Sequence, residues 1–509
     1  MNALTQSQGY LFLLLFAIVM FALTYFLSRK QSWTASRLGF LKAGAKIPWT
    51  IGAFSIAASW IWAPALFVSV QKTFELGMPG LLWFTVPNIF ALVMYVWLAP
   101  KIREKIPGGY TLPDWIKHRF QNKTVHKLYL IIYIWYQVMA VTVQVFVGGL
   151  LVSYLTGIPL NGVMILLALV GLSYSLLSGL RASIITDFLQ MALIIGIGLV
   201  IVPWVSSAGG GWDAIQKGFG GLANNSNVFD LNVAYSFGIV TTLGLLSGAI
   251  CDQQYWQRSF SIKRTDLKKA FLIGGLIFGL IPIGLSVLGF LGANPDLGIT
   301  MPQGVQLPMI GVEVVGSLLP TWAMILFVIM LLSGLSSTLD SGLVAGASLW
   351  AIDGVKLTEQ EKEVYRKERL GQGLNDEEIL IRENLDKKTP IRARSAMVGL
   401  AVIGLLVALA VRYIPGFGLD KLWWVFNGVA TIVVVPTVLS VFWDKLSAKG
   451  VLLGFIGSFI GIIAFIYGNA QGNTDLIVGS SLFIIVISLV MNLAFPLKEP
   501  FNENAHLST

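Results

Sequence analysis

Runs of about twenty apolar residues recur along this chain, and nothing else in it restricts the fold so severely. Thirteen are legible: Gly9–Leu27, then roughly 48–70, 78–99, 127–155, 160–178, 184–205, 233–250, 270–292, 319–350, 395–413, 422–443, 450–468 and 475–496. In hydrocarbon each segment must satisfy its own backbone N–H and C=O groups, so such runs form helices. Only 12% of the 509 residues are charged and 55% are hydrophobic, against about 25% charged in a soluble protein. The expectation is an all-α polytopic membrane protein: one transmembrane domain over 1–509, partnered by the lipid bilayer. Gly9–Leu27 has no small-residue cleavage site and is read as an anchor helix.

The distribution of charge sets the orientation. The first loop carries Arg29, Lys30, Arg37, Lys42 and Lys46 without an acid. The third connection carries Lys101, Arg103, Lys105, Lys117, Arg119, Lys123 and Lys127, and later loops on that side add Arg181, Arg258, Lys263, Arg264, Lys268 and Lys269. Loops on the other side are poor in basic residues; 206–232 has Lys217 alone. With the basic loops inside, the N-terminus is outside and the C-terminus cytoplasmic, in the cell membrane. This distribution accounts for the excess of 35 Lys+Arg over 26 Asp+Glu, so no nucleic acid is invoked. The charged stretch 353–394 reads as a solvated cytoplasmic loop with helical turns, because Glu and Lys/Arg recur at helical spacing. The Gly- and Asn-rich segment 206–230 reads as a mobile outer cover.

Ser333–Val344 (SGLSSTLDSGLV) is the polar exception among the apolar runs. A carboxylate inside a membrane helix is expensive and requires a partner or an ion. Ser337, Asp340 and Ser341 at i, i+3 and i+4 share one helical face. Hydroxyls with a carboxylate are hard oxygen ligands and suit a hard cation. The competing reading is that the hydroxyls bond back to their own helix.

Two spans look interrupted. In the second, Pro64 follows small Ala57, Ala58 and Ser59, so carbonyls near Ala58 and Ile61 lose helical donors. In the seventh, Gly244, Ser247 and Gly248 weaken the helix before Asp252. Paired interrupted helices five spans apart are the sequence mark of a transporter binding site built on an inverted repeat. A simple kink at Pro64 is the alternative. The single Cys251 excludes internal disulfides and Cys-rich metal sites. His118, His126 and His506 fall in polar segments and no acidic cluster has metal spacing, so neither an enzyme nor a transition-metal site is expected.

Four stretches in order, GLRASIITDFLQ (Gly179–Gln190), DQQYWQR (Asp252–Arg258), SSTLDS (Ser336–Ser341) and VFWDKLSAKGVLLGFIGSFIG (Val441–Gly461), make the chain resemble the sodium/solute symporter family over nearly its whole length. The resemblance implies a five-plus-five inverted repeat (the LeuT-like fold of the APC superfamily) behind an extra N-terminal helix. The parts would be 1–47 (N-terminal helix and cytoplasmic loop), 48–205 (first repeat), 233–443 (second repeat, interrupted by the loop 353–394) and 450–496 (two C-terminal helices). It implies symport of a small organic solute with Na+ by alternating access. It places the sodium site at the carbonyls of Ala58, Ile61 and Gly334 and the hydroxyls of Ser337 and Thr338. A second cation site in some members would correspond here to Asp187, Ser337 and Ser341. Asp340 stands where hydroxyl residues are usual, which leaves sodium and proton coupling both open. Asp187 has the alternative of pairing with Arg181.

The solute site implied by the fold lies between the broken spans and the fourth, eighth and eleventh. Its candidates are Trp60, Trp62, Gln137, Gln144, Leu245, Ser247 and Asn427. WIWA (Trp60–Ala63) is similar to the W-x-W-A of the urea and polyamine permease branch, whereas polar residues used by sugar-transporting members are replaced by Trp60, Pro64 and Ala65. Trp, Gln and backbone groups suit a small neutral solute that forms hydrogen bonds. Beside the symporter stand a passive channel for a solute such as urea, a proton-coupled symporter, and a sensor that kept the transporter fold; the last usually needs an appended signalling domain.

Overall fold

The computed structural model describes residues 4–28, 36–177, 179–414 and 418–501. Arg29, Lys30 and His506 lie outside them. Among the described residues the secondary structure is helical, apart from one isolated parallel bridge between Ile47 and Ile262.

α1 (Gln6–Ser28) precedes α2 (Arg37–Lys42), which Ser36 caps by accepting from Gly39 N. The second span is two pieces, α3 (Trp49–Trp60) and α4 (Ser69–Leu76), joined through a π-helical turn at Pro64–Val68 and bent by 74°. α5 (Met78–Val93) runs on into α6 (Tyr95–Lys105). After α7 (Leu112–Phe120), Asn122 caps α8 (Lys123–Thr156), which ends on left-handed Gly157. α9 (Leu160–Ser175), α10 (Leu180–Ala208) and α11 (Gly211–Lys217) complete the first half. In the seventh span α12 (Leu231–Val233) passes through a π turn into α13 (Ile239–Cys251), and α14 (Gln253–Ser261) follows after a break at Asp252. α15 (Leu267–Ala293), α16 (Ile310–Leu318) and α17 (Thr321–Leu349) come next. α18 (Glu359–Leu370) and α19 (Asp376–Val411) both begin with capping boxes, Thr358 with Glu361 and Asn375 with Glu378. α20 (Leu419–Phe442), α21 (Ala448–Gln471) and α22 (Thr474–Ala494) end the described chain.

Eleven of these helical stretches are long and apolar enough to cross a membrane, twelve with the bent pair counted as one span. The chain is a multi-pass membrane protein. The remaining expected span, 160–178, coincides with α9. Its 16 residues reach about 24 Å, short of a hydrocarbon core of about 30 Å.

α3, α8, α10, α13, α15, α17 and α20 pack against one another, with α8 and α17 the most enclosed, and α21 pairs with α22 against α20. Residues 330–349 of α17 are buried all round, as expected of a helix enclosed by protein. By contrast α1, α21 and α22 leave Leu15, Ile463 and Val486 exposed, the apolar surface that hydrocarbon covers.

Two connections are more ordered than the sequence suggested. The 206–230 cover is tied down by backbone hydrogen bonds, Met78 N to Phe219 O (2.9 Å) and Leu222 N to Phe74 O (2.8 Å). The charged stretch 353–394 forms α18 and the first turns of α19, and buries Val364, Tyr365 and Leu385. Arg369 pairs with Asp114 and Arg37 with Glu368, while Gly108 N donates to Arg369 O at 2.9 Å. A Cβ on Gly108 would sit 1.7 Å from Glu368 O, so only glycine admits this approach.

Arg37 and Lys42, read as loop charges, are buried beneath this layer. The Lys42 ammonium lies 4.8 Å from the Tyr110 ring centre. Burial, reinforced by Arg103, pulls its pKa down to about 7, against the opposing pull of Asp114 and Glu368. Between pH 7 and the ordinary lysine range the unfolded chain therefore holds the extra proton, and stability rises with pH. Melting curves from pH 7 to 9.5 are expected to show that rise for the wild type and a smaller one for Lys42→Met.

Candidate ion and solute sites

Pro64 lacks the N–H that Trp60 O would accept, and α3 ends at Trp60. The polar groups released by the bend are met one by one. Ile61 N turns back to Ala58 O at 3.1 Å. Ala63 N donates to Gln144 Oε1 of α8 at 3.0 Å. Ile61 O accepts from the Thr338 hydroxyl of α17 at 3.0 Å. A Cβ on Gly334 would lie 3.0 Å from the Ile61 side chain, so α17 approaches the bend through this glycine. The structure thus brings Ala58, Ile61, Gly334 and Thr338 to one junction. Ser337, next along α17, donates to Asp187 Oδ1 at 2.6 Å.

Asp187 of α10 is gathered with Ser337 and Ser341, and a group absent from the expected set joins them. Arg258 of α14 donates through Nη2 to Asp187 Oδ2 (2.7 Å) and to Ser341 Oγ (2.9 Å), and through Nε to Ser55 Oγ (3.0 Å). Both members of the ion pair are 0% exposed. A buried pair holds only when its remaining lone pairs and protons are met; here Ser55 adds a bond to Asp187 at 2.7 Å. Arg258 had been counted among the loop charges. A charge count treats any Arg beyond an apolar run as solvated, whereas α14 folds back into protein. Asp340 is buried on α17, beside Ser341.

At the second break, Asp252 caps α14 by accepting from Gln254 N. The carbonyls released there meet aromatic donors: Ala249 O accepts from Tyr95 Oη (2.8 Å), and Ile250 O from Tyr133 Oη and Trp256 Nε1 (both 2.7 Å). Gly244 and Gly248 do not break the helix. They let Asn427 come close, since a Cβ on Gly248 would lie 2.3 Å from its Oδ1.

Between the two breaks lies a small cavity of about 20 Å³, walled by aromatic rings. Of the solute candidates, Trp60, Trp62, Leu245 and Asn427 line it. Gln144 serves the bend, Gln137 bonds Asp252 at 3.1 Å, and Ser247 is buried nearby in α13; none of the three is among its lining residues. The sequence reading missed Phe84, Asn88, Tyr136, Trp423 and Phe426. A signal existed: Phe84 with Asn88, and Trp423 with Asn427, are i, i+4 pairs in which an aromatic precedes an amide. Trp62 stacks on Phe426 at 5.2 Å between ring centres. Trp60 Nε1 donates to Asn88 Oδ1 (2.8 Å) and Tyr136 Oη to Asn427 Oδ1 (3.2 Å); among the described residues none that lines the cavity is charged. A wider chamber of about 520 Å³, bordered by Gln71, Gln306, Arg412 and Lys421, opens on the face opposite the basic loops.

Comparison with known proteins adds three kinds of relative. The chain is 24% identical to the urea active transporter of Saccharomyces cerevisiae over 380 residues, which are 69% of this chain and 51% of that protein. It is 22% identical to the urea-proton symporter of Oryza sativa subsp. japonica, over 91% of this chain and 66% of that one. The chain thus spans about half to two thirds of these relatives. It is 23% identical to the sodium/pantothenate symporter of Haemophilus influenzae, over 88% of this chain and 91% of that one. The solved substrate-bound, outward-open state of a sodium-coupled sialic acid symporter superposes with a TM-score of 0.73 at 16% identity, covering 96% of this chain and 98% of that one. This likeness establishes the LeuT-like fold. A family model described as the sodium:solute symporter family matches residues 40–371. The family comprises transporters rather than enzymes, and the chain belongs to it.

Proposed function

We propose that this chain is a secondary active symporter that couples one sodium ion to uptake of a small, neutral, N–H-rich solute of the urea class. The observation that carries the ion reading is the contact of Thr338 Oγ1 with Ile61 O at 3.0 Å, beside Gly334 and Ser337. A monovalent cation would replace this hydrogen bond by drawing both oxygens to itself, joined by the carbonyls of Ala58 and Gly334 and the Ser337 hydroxyl. Five neutral oxygens hold such an ion without binding it too tightly to release. Arg258 supplies a fixed positive charge at Asp187 and Ser341, where a second ion would otherwise be needed. That favours one ion per cycle. The uncharged aromatic cavity and the urea transporters among the relatives support the solute class.

In this reading the basic loops face the cytoplasm of a cell membrane, the N-terminus lies outside, and the wide chamber is the outer approach. Sodium holds the outward-facing state, solute binds above the bend, and both leave inward. Binding of each favours the other, which is how the gradient does work.

The test is thermal stability of the purified protein in sodium against potassium, with urea, putrescine, proline, galactose, sialic acid and pantothenate. A ligand that binds the folded state raises stability as ln(1 + [L]/Kd). The expected result is a sodium-specific rise, increased further by urea alone in this panel. A rise on acidification without a sodium effect would move the coupling to protons. Urea flux into proteoliposomes that ignores sodium would make the chain a channel.

A further inference from the structure

Four side chains at the foot of the broken seventh span lie outside the lining of the aromatic cavity. Gln137, Asp252 and Gln254 are 0% exposed and Gln257 is 1% exposed. Gln137 Nε2 donates to Asp252 Oδ1 at 3.1 Å and Gln254 Nε2 to Asp252 Oδ2 at 3.2 Å. Gln257 Nε2 donates to Val344 O at 3.4 Å. A carboxylate and a carbonyl accept hydrogen bonds, so these contacts fix which end of each amide is nitrogen. The opposite ends, three Oε1 atoms, find no donor among the described residues. Buried carbonyl oxygens are seldom left so, and three in one neighbourhood need an explanation. The Gln137 and Gln254 amides lie beside α17 at Gly342, where a Cβ would be 3.9 Å from Gln137 Oε1 and 4.0 Å from Gln254 Nε2, and Gln257 meets the same helix at Val344.

The cluster adjoins the aromatic cavity. Tyr136 lines the cavity and Gln137 follows it in α8; Tyr255 meets Trp60 edge-on at 5.3 Å and follows Gln254 in α14. The two places also share a chemistry. In the cavity each amide nitrogen turns one N–H onto its own helix, Asn88 Nδ2 to Phe84 O (2.7 Å) and Asn427 Nδ2 to Trp423 O (3.1 Å). Both places therefore present amide oxygens to a solute, and at the cluster the Asp252 carboxylate opposes an anion.

The geometry points to a second solute station, formed by the Oε1 atoms of Gln137, Gln254 and Gln257 around Asp252. It receives N–H groups as the solute leaves the cavity toward the basic face. It takes a small molecule richer in N–H donors than in acceptors, such as urea or guanidinium, and refuses carboxylates. This rests on the transport reading above.

The experiment uses proteoliposomes with an inward sodium gradient and labelled urea, guanidinium and acetate, for the wild type and for Gln254→Leu combined with Gln257→Leu. The wild type is expected to carry urea or guanidinium and not acetate. In the double variant the maximal rate should fall about tenfold, the cost of acceptors lost on the path. The urea concentration giving half of the sodium-dependent thermal stabilisation should stay within twofold. A merely structural role would instead lower the melting temperature and affinity together. Should the double variant fail to fold, the two single variants carry the same test. A folded variant at the wild-type rate overturns the station, and so does equal uptake of acetate. A wild type without sodium-driven uptake of either N–H probe overturns the transport reading and the station with it.

Discussion

Replacing Ser337 and Thr338 together by alanine is expected to abolish the sodium-specific rise in melting temperature and to cut sodium-driven uptake at least ~100-fold. The size follows from losing two of five oxygens around a cation, at about 1.5–3 kcal/mol for each hydrogen-bond-strength contact to a charged group. The fold itself should survive. Thr338 lends one hydrogen bond to Ile61 O, and Ser337 lends one of several to Asp187. Melting in potassium should therefore stay close to wild type while the difference between sodium and potassium disappears. A double variant that still accumulates solute under a sodium gradient would refute the assignment of this junction.

Arg258→Met is expected to act through stability. Removing the guanidinium leaves Asp187 a buried carboxylate with hydroxyl partners alone, and breaking a buried pair costs about 3–5 kcal/mol. In potassium the variant should melt far below wild type. Sodium should restore part of the loss, because Asp187, Ser337 and Ser341 then have the charge and oxygens to hold an ion themselves. The sodium dependence of melting should become steeper in consequence. Combining Arg258→Met with Asp187→Asn removes both charges and should melt above Arg258→Met alone. Equal loss in sodium and potassium, with no recovery in the combined variant, would show that Arg258 acts only as packing.

Hydropathy carried most of the fold, because a span needs only length and apolarity to declare itself. The exception, α9, is 16 residues long and looked longer because the apolar run continues past Ser175 into the turn. Proline marked the first break correctly, since the missing N–H is a local property. The second break was approached through its glycines, but these serve Asn427; the helix ends where Asp252 offers a cap. Contacts between distant segments were harder to read. Nothing local says that Arg258 returns to Asp187, 71 positions away, or that Gln144 reaches the bend and not the cavity. The stretch 353–394 has the helical turns its charge spacing suggests, but nothing local says that Glu368 and Arg369 are pinned against α2 and α7.

The amide of Gln144 has one more consequence. Because α8 holds Ala63 N at 3.0 Å, the bend keeps its shape without help from a bound ion. An ion arriving at the proposed site would then shed its water into a frame that is already set, and little of its binding energy would go into ordering the chain. A stiff frame also discriminates by radius, since oxygens that cannot relax outward crowd a larger alkali ion. Loosening this splint, with the oxygens themselves untouched, should erode the preference for sodium over potassium before it erodes cation binding as such.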